Sequence, residues 1–159
     1  MAAILERMQD RLDLLQRTRS IAIVGMSKNS SRSSHFVATY LAGSTDFDVY
    51  YVNPRETEIM GKSVYASLGD LPVVPDIVDV FRRVEDLPAV TDEAIAVGAT
   101  ALWFQLGLEH PEAAARAVAA GLDVVQNRCL KVEHARFRGG LHSAGFNTGV
   151  IDSRRARLV

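Results

Sequence analysis

Short apolar runs at residues 21–24, 49–52, 77–81 and 101–104, and a last one around Val124 and Val125, alternate with segments of helical spacing. Apolar runs that short, unbroken by polar positions, fit strands covered on both faces. The helical segments carry their own punctuation. Phe36, Val37, Tyr40 and Leu41 mark one apolar face, with Gly43 placed to end that helix as its C′ residue. Residues 88–97 open on Pro88 and precede Gly98; residues 111–120 open on Pro111, carry Glu112 in the positive first turn and precede Gly121. Ahead of the first strand, Ile4, Met8, Leu12 and Leu15 form an amphipathic stripe, expected to pack a helix on the domain's flank. Asn53-Pro54 stops the second strand, because proline cannot extend a hydrogen-bonded ladder. Residues 55–75, with Gly61, Gly69, Pro72 and Pro75, read as irregular.

Strands alternating with helices imply right-handed βαβ units. The expected fold is α/β and three-layered: a five-stranded, mainly parallel sheet with helices on both faces. One domain is expected over residues 1–137. A tail over 138–159 follows, with Gly139, Gly140, Gly145 and Gly149 and the basic residues Arg154, Arg155 and Arg157.

A chain of 159 residues is long enough for one core. Its 18 Lys and Arg against 19 Asp and Glu leave a net charge of -1. That balance argues against nucleic acid or an anionic membrane as the main partner, so an anion site has to be local. Cys129 is the only cysteine, which rules out an intrachain disulfide and fits a reducing compartment. Glu6, Arg7, Asp10 and Arg11 interrupt any signal-peptide core, and no apolar run is long enough to span a bilayer. A cytoplasmic domain is the expectation.

In an open α/β sheet, ligands sit beyond the carboxyl ends of the strands. Gly25 permits a tight turn after the first strand, but Ser27 and Ser30 stand where a dinucleotide fingerprint has its second and third glycines. Serine hydroxyls donate to phosphate, and Lys28 and Arg32 add charge-assisted bonds. Ser33 or Ser34 equally suits a helix cap. The second strand ends in Asn53-Pro54-Arg55, without the carboxylate that holds the ribose of NAD. Two readings fit Arg55 and Lys62: partners of a phosphorylated ribose, as in NADP or coenzyme A, and ordinary surface charge.

Residues 23–27 (Ile-Val-Gly-Met-Ser) with Arg32-Ser33, then 52–54 (Val-Asn-Pro), 61–65 (Gly-Lys-Ser-Val-Tyr), 79–82 (Asp-Val-Phe-Arg), 102–107 (Leu-Trp-Phe-Gln-Leu-Gly) and 126–129 (Gln-Asn-Arg-Cys) occur in order. The set resembles the small stand-alone coenzyme A-binding proteins of bacteria and archaea. These are similar to the nucleotide-binding domain of the succinyl-CoA synthetase α subunit. The resemblance runs from about Arg19 to His134. It implies a Rossmann-like fold with coenzyme A or an acyl-CoA as ligand. Gly25, Ser27, Lys28, Arg32 and Ser34 would then line the diphosphate site. Asn53, Pro54 and Arg55 would flank the adenosine and its 3′-phosphate, with Lys62 nearby. Phe81, Arg82 and Val84 would wall the adenine, and Gln105 and Gly107 would border the pantetheine path. Arg55 departs from the synthetase-like pattern, which has a lysine near this position.

No catalytic constellation stands out. His35, His110, His134 and His142 are scattered without metal-ligand spacing, His110 being placed as a cap-region residue. Asp76, Asp79, Glu85 and Asp86 are close in sequence, yet Asp79 falls inside a strand. For Cys129 two readings stand: a small buried hydrophobe, and a thiol on the ligand side that forms a mixed disulfide with coenzyme A. The expected function is non-catalytic binding of coenzyme A or a short acyl-CoA. The alternative is an NADP-linked oxidoreductase, or a subunit of an acyl-CoA ligase that needs a partner chain. The apolar opening helix and the tail also suit a homodimer.

Overall fold

The structure, a computed structural model, describes residues 1–138. The chain runs α1 (Met8–Arg17), β1 (Ser20–Val24), α2 (Ser33–Ser44), β2 (Asp48–Val52), β3 (Glu58–Ile59), β4 (Lys62–Tyr65), β5 (Ile77–Val80), α3 (Leu87–Val97), β6 (Ala101–Phe104), α4 (Pro111–Ala119), β7 (Asp123–Val125) and α5 (Leu130–Arg138). One sheet orders them β3-β4-β2-β1-β5-β6-β7, and β3 against β4 is its one antiparallel pair.

Each central strand is buried along its length and sends alternate side chains to opposite faces. Ala22, Val24, Val78, Val80, Leu102 and Phe104 meet Leu87, Val90 and Ala94 of α3 and Ala113, Ala114 and Ala117 of α4. Ile21, Ile23, Ile77, Trp103 and Val125 meet Leu14 and Leu15 of α1, Val37, Ala38 and Leu41 of α2, and Leu130 of α5. The three-layer α/β architecture is therefore as expected, with the five apolar runs among its parallel strands.

Several details differ. The sheet has seven strands rather than five, because residues 55–75 contain the β3–β4 hairpin. Met60 (φ 51°) and Gly61 (φ 74°) form its tip, a pair of left-handed residues that matches the twist of a two-residue hairpin. α2 continues through Gly43. It ends at Thr45, whose N–H and hydroxyl both donate to Leu41 O. Ile4 lies outside α1, in a parallel bridge to Val124; of the expected stripe the helix buries Leu15, together with Arg11 and Leu14, while Met8 and Leu12 are half-buried. α5 was not foreseen. It packs on α2 through a Tyr40 Oη to His134 Nδ1 hydrogen bond of 2.8 Å, and burial, then the charge of Arg138, holds that imidazole below its ordinary pKa. Of the expected tail, Arg138 closes α5; residues 139–159, including His142, lie outside the described residues.

His110 is the N-cap of α4, its Nδ1 accepting from Ala113 N–H at 3.1 Å, as its position before Pro111 suggested. Asp76 is structural as well, its carboxylate accepting from the Arg19 and Ser20 N–H groups at the start of β1. No helix among the described residues is long and apolar enough to cross a membrane.

Candidate ligand site at the strand ends

β1 lies between β2 and β5, so the crossovers leave it in opposite directions and open a crevice at the carboxyl ends of β1 and β5. Gly25 follows β1 with φ +86°, and a Cβ there would stand 2.1 Å from Phe81 O. The same junction is tied by Phe81 N–H donating to Val24 O (2.8 Å) and Gly25 N–H donating to Val52 O (2.9 Å). Only glycine fits this approach of two strand ends. Gly25→Ala is expected to lower stability by about 3 kcal/mol, through positive φ and overpacking together. An unchanged urea midpoint would mean that the junction is not locked in this way.

Beyond Gly25 the loop is shaped by its own small polar side chains. Ser27 N–H donates to Ser34 Oγ (3.0 Å), and Ser27 Oγ accepts from Asn29 N–H (3.1 Å). Asn29 Oδ1 in turn accepts from the N–H and hydroxyl of Ser31. Arg32 is the N-cap residue of α2, and no side chain caps that helix. Its first-turn N–H groups and the positive end of its dipole consequently face the loop.

The loop opens into a cleft of about 500 Å3. Eight of the expected residues line it: Gly25, Ser27, Arg32 and Ser34 after β1, Phe81 and Arg82 after β5, and Gln105 and Cys129 from the β6 and β7 side. Arg32 and Arg82 make it a cationic crevice, while Phe81, Leu106 and Leu108 give it an apolar wall. Leu106 and Leu108 were not among the expected residues. The visible signal was a leucine directly following a strand-end glutamine; Leu106 is 69% exposed. Ser33, considered only as a cap, also lines the cleft.

The remaining expected residues lie outside that lining. Asn53 ties two loops together, its Nδ2 donating to Met26 O (2.8 Å) and its Oδ1 accepting from Arg55 N–H (2.9 Å). Pro54 and Arg55 form the exposed turn beyond it. Lys28 leans toward that turn, with Nζ 3.8 Å from Oε1 of Glu56, a carboxylate just past β2 that the sequence reading passed over. Gly107 N–H donates to Asn127 Oδ1 (2.7 Å), which braces the β6 and β7 ends. Val84 is exposed at the start of the 3-10 turn that precedes α3.

Lys62 requires a correction. It stands at the start of β4, its Nζ donating to Val49 O and lying 5.0 Å from the Tyr51 ring centroid. Because β4 runs parallel to β2 with Val64 opposite Tyr51, Lys62 is carried back toward the amino half of β2, away from the loop after β1. Partial burial there holds its ammonium pKa below the ordinary lysine value.

A larger cavity of about 650 Å3 opens at the opposite end of the sheet, among Arg19, Thr45, Asp46 and His134. It has mixed charge and no glycine-opened strand end, so size alone does not select it. Among the described residues no group of His, Cys, Asp and Glu could hold a metal ion.

A family model described as a CoA binding domain matches residues 19–135. The uncharacterized protein YneT of Bacillus subtilis is 37% identical over 123 residues, spanning 77% of this chain and 90% of that protein. A solved structure from Thermus thermophilus is 38% identical with a TM-score of 0.77, covering 82% of this chain and 98% of its own. Acetyl-coenzyme A synthetase 1 of Ca. Korarchaeum cryptofilum shares the fold, with a TM-score of 0.65 at 24% identity, over 71% of this chain and 27% of the synthetase. With the family model spanning most of its length, this chain belongs to the CoA-binding domain family.

Proposed function

We propose that the cleft binds coenzyme A or a short acyl-CoA without transforming it, with the diphosphate on the loop after β1. The observation that carries this reading is the uncapped start of α2 beside Arg32 and Arg82, in one crevice with an apolar wall. Helix N–H groups and guanidinium forks suit a diphosphate, and an apolar wall suits adenine and the pantetheine arm. Arg55 and Lys28, exposed on the neighbouring loops, are the cations for the ribose 3′-phosphate. Several polar groups at the cleft are already engaged in holding its shape. Gln105 Oε1 accepts from Leu130 N–H (3.0 Å), and Ser27 and Ser34 bond within the loop. That supports a holding role over a chemical one.

Calorimetry with coenzyme A, acetyl-CoA, NADP and NAD tests the reading. Coenzyme A is expected to bind, and Arg32→Ala to weaken it by about tenfold to a hundredfold, the worth of one or two charge-assisted hydrogen bonds. Binding of NADP with none of coenzyme A would overturn the ligand. Undiminished affinity in Arg32→Ala would overturn the position of the diphosphate.

A further inference from the structure

We infer that the inner end of this cleft is a thiol-exchange site, at which Cys129 captures one half of an oxidised pantetheine-type thiol such as coenzyme A disulfide. The inference rests on the coenzyme A reading above and adds to it a modification of the protein itself.

The position of Cys129 is the first support. Its half-buried side chain lines the cleft that Arg32 and Ser34 line, and it also packs against the core cluster under α2 and α5. Both of its neighbours are held: Trp103 Nε1 donates to Arg128 O (2.8 Å), and Leu130 N–H donates to Gln105 Oε1 (3.0 Å). Its own carbonyl accepts from Glu133 N–H (3.0 Å) at the start of α5. The loop after β1 and the end of β6 are separated by two inter-strand spacings, about 10 Å. A pantetheine arm leaving a diphosphate at Arg32 spans that distance and brings its sulfur to the Cys129 side.

Asp79 is the second, independent support. It is fully buried in β5, and neither carboxyl oxygen has a hydrogen-bond partner. Its register partners are Ile23 on β1 and Trp103 on β6. Two residues further along the three strands stand Gly25, Phe81 and Gln105, all of which line the cleft. Strand side chains two apart share a face, so Asp79 lies on the face of Phe81 and Gln105, one step deeper in the sheet than the residues that line the cleft. A buried carboxyl without partners is expensive to keep. The two amides of a pantetheine arm along this cleft are the chemistry that would relieve it. An unsatisfied buried carboxyl thus lies one step below the path that ends at the thiol.

The exchange balances without an added oxidant. The Cys129 thiolate attacks one sulfur of coenzyme A disulfide, and the bond between the two coenzyme sulfurs breaks. A bond from Cys129 to that coenzyme A forms, and the second coenzyme A leaves as a thiolate and takes up the proton Cys129 released.

The test uses the reduced full-length protein with coenzyme A disulfide, followed by intact-mass spectrometry. One adduct per chain is expected, with the mass of coenzyme A less one hydrogen, reversed by dithiothreitol and absent from Cys129→Ser. It should form at least about tenfold faster than the adduct from glutathione disulfide, reflecting prior binding. Asp79→Ala should slow the coenzyme A reaction and leave the glutathione reaction unchanged. No adduct, equal rates for the two disulfides, or an Asp79→Ala variant as fast as wild type would overturn the inference. Calorimetry of Cys129→Ser with reduced coenzyme A separates the two levels. Retained binding leaves the coenzyme A reading intact when the exchange fails, whereas no binding in either protein would overturn that reading itself.

Discussion

Glu133→Leu is expected to destabilise the protein by about 3–5 kcal/mol, and adding Arg11→Met to recover most of that loss. Arg11 and Glu133 form a buried ion pair, Nε to Oε2 at 3.0 Å, with side chains 5% and 4% exposed. The guanidinium also donates to the carbonyls of Leu5 and Glu6, while Arg128 and Arg136 approach the same carboxylate at 4.0 and 3.9 Å. Removing the carboxylate strands Arg11 in the core without its counter-ion. Two buried charges of opposite sign replaced together by apolar side chains leave neither stranded, which is why the double variant recovers. Urea unfolding of the wild type, both single variants and the double variant measures the coupling. Additive single effects would show that the pair does not act as a unit. The consequence reaches the cleft, because this pair joins α1 to α5, and α5 begins beside Cys129 and Gln105.

That pair also marks where sequence reading stops. Arg11 and Glu133 are 122 positions apart, and in an amphipathic stripe Arg11 counts as a polar position. The helix therefore buries a face that hydrophobic spacing alone misses. The central strands were legible because both of their faces are covered, which leaves uninterrupted apolar runs such as residues 21–24. α3 and α4 were legible from Pro88 with Gly98 and from Pro111 with Gly121, whose backbone roles are local. The β3–β4 hairpin was not. β3 has two residues, β4 (Lys-Ser-Val-Tyr) is exposed or half-buried and so carries no apolar run, and the left-handed Met60 is not a turn-favouring residue. The cleft inherited this division. Residues that follow β1, β5 and β6 could be grouped around one cleft because parallel topology carries those strand ends to one side. Lys62 was misplaced because its position depends on the register of β4 on β2, which no local pattern announces.

The largest pH effect is expected from Asp79. Desolvation in the sheet holds its carboxyl pKa well above the usual value, so the folded chain keeps a proton that the unfolded chain releases near pH 4. Above that pH the folded state binds more protons than the unfolded state, and stability falls as pH rises. The slope is about 1.4 kcal/mol per pH unit until the raised folded pKa is reached. Asp79→Asn removes this titration while keeping the shape of the side chain. The variant should match the wild-type pH trend below about pH 4 and gain on it steadily above, being the more stable protein at pH 8. Urea unfolding at pH 4, 6 and 8 reads the difference between the two. His134, whose pKa is lowered by burial, titrates in both proteins and cancels. A difference that stays constant across that range would mean Asp79 ionises as an ordinary carboxylate. A chain that keeps so unfavourable a group at the centre of its sheet gives up stability there. If Asp79→Asn is both more stable and slower to capture coenzyme A disulfide, that loss belongs to the ligand cleft and not to the fold.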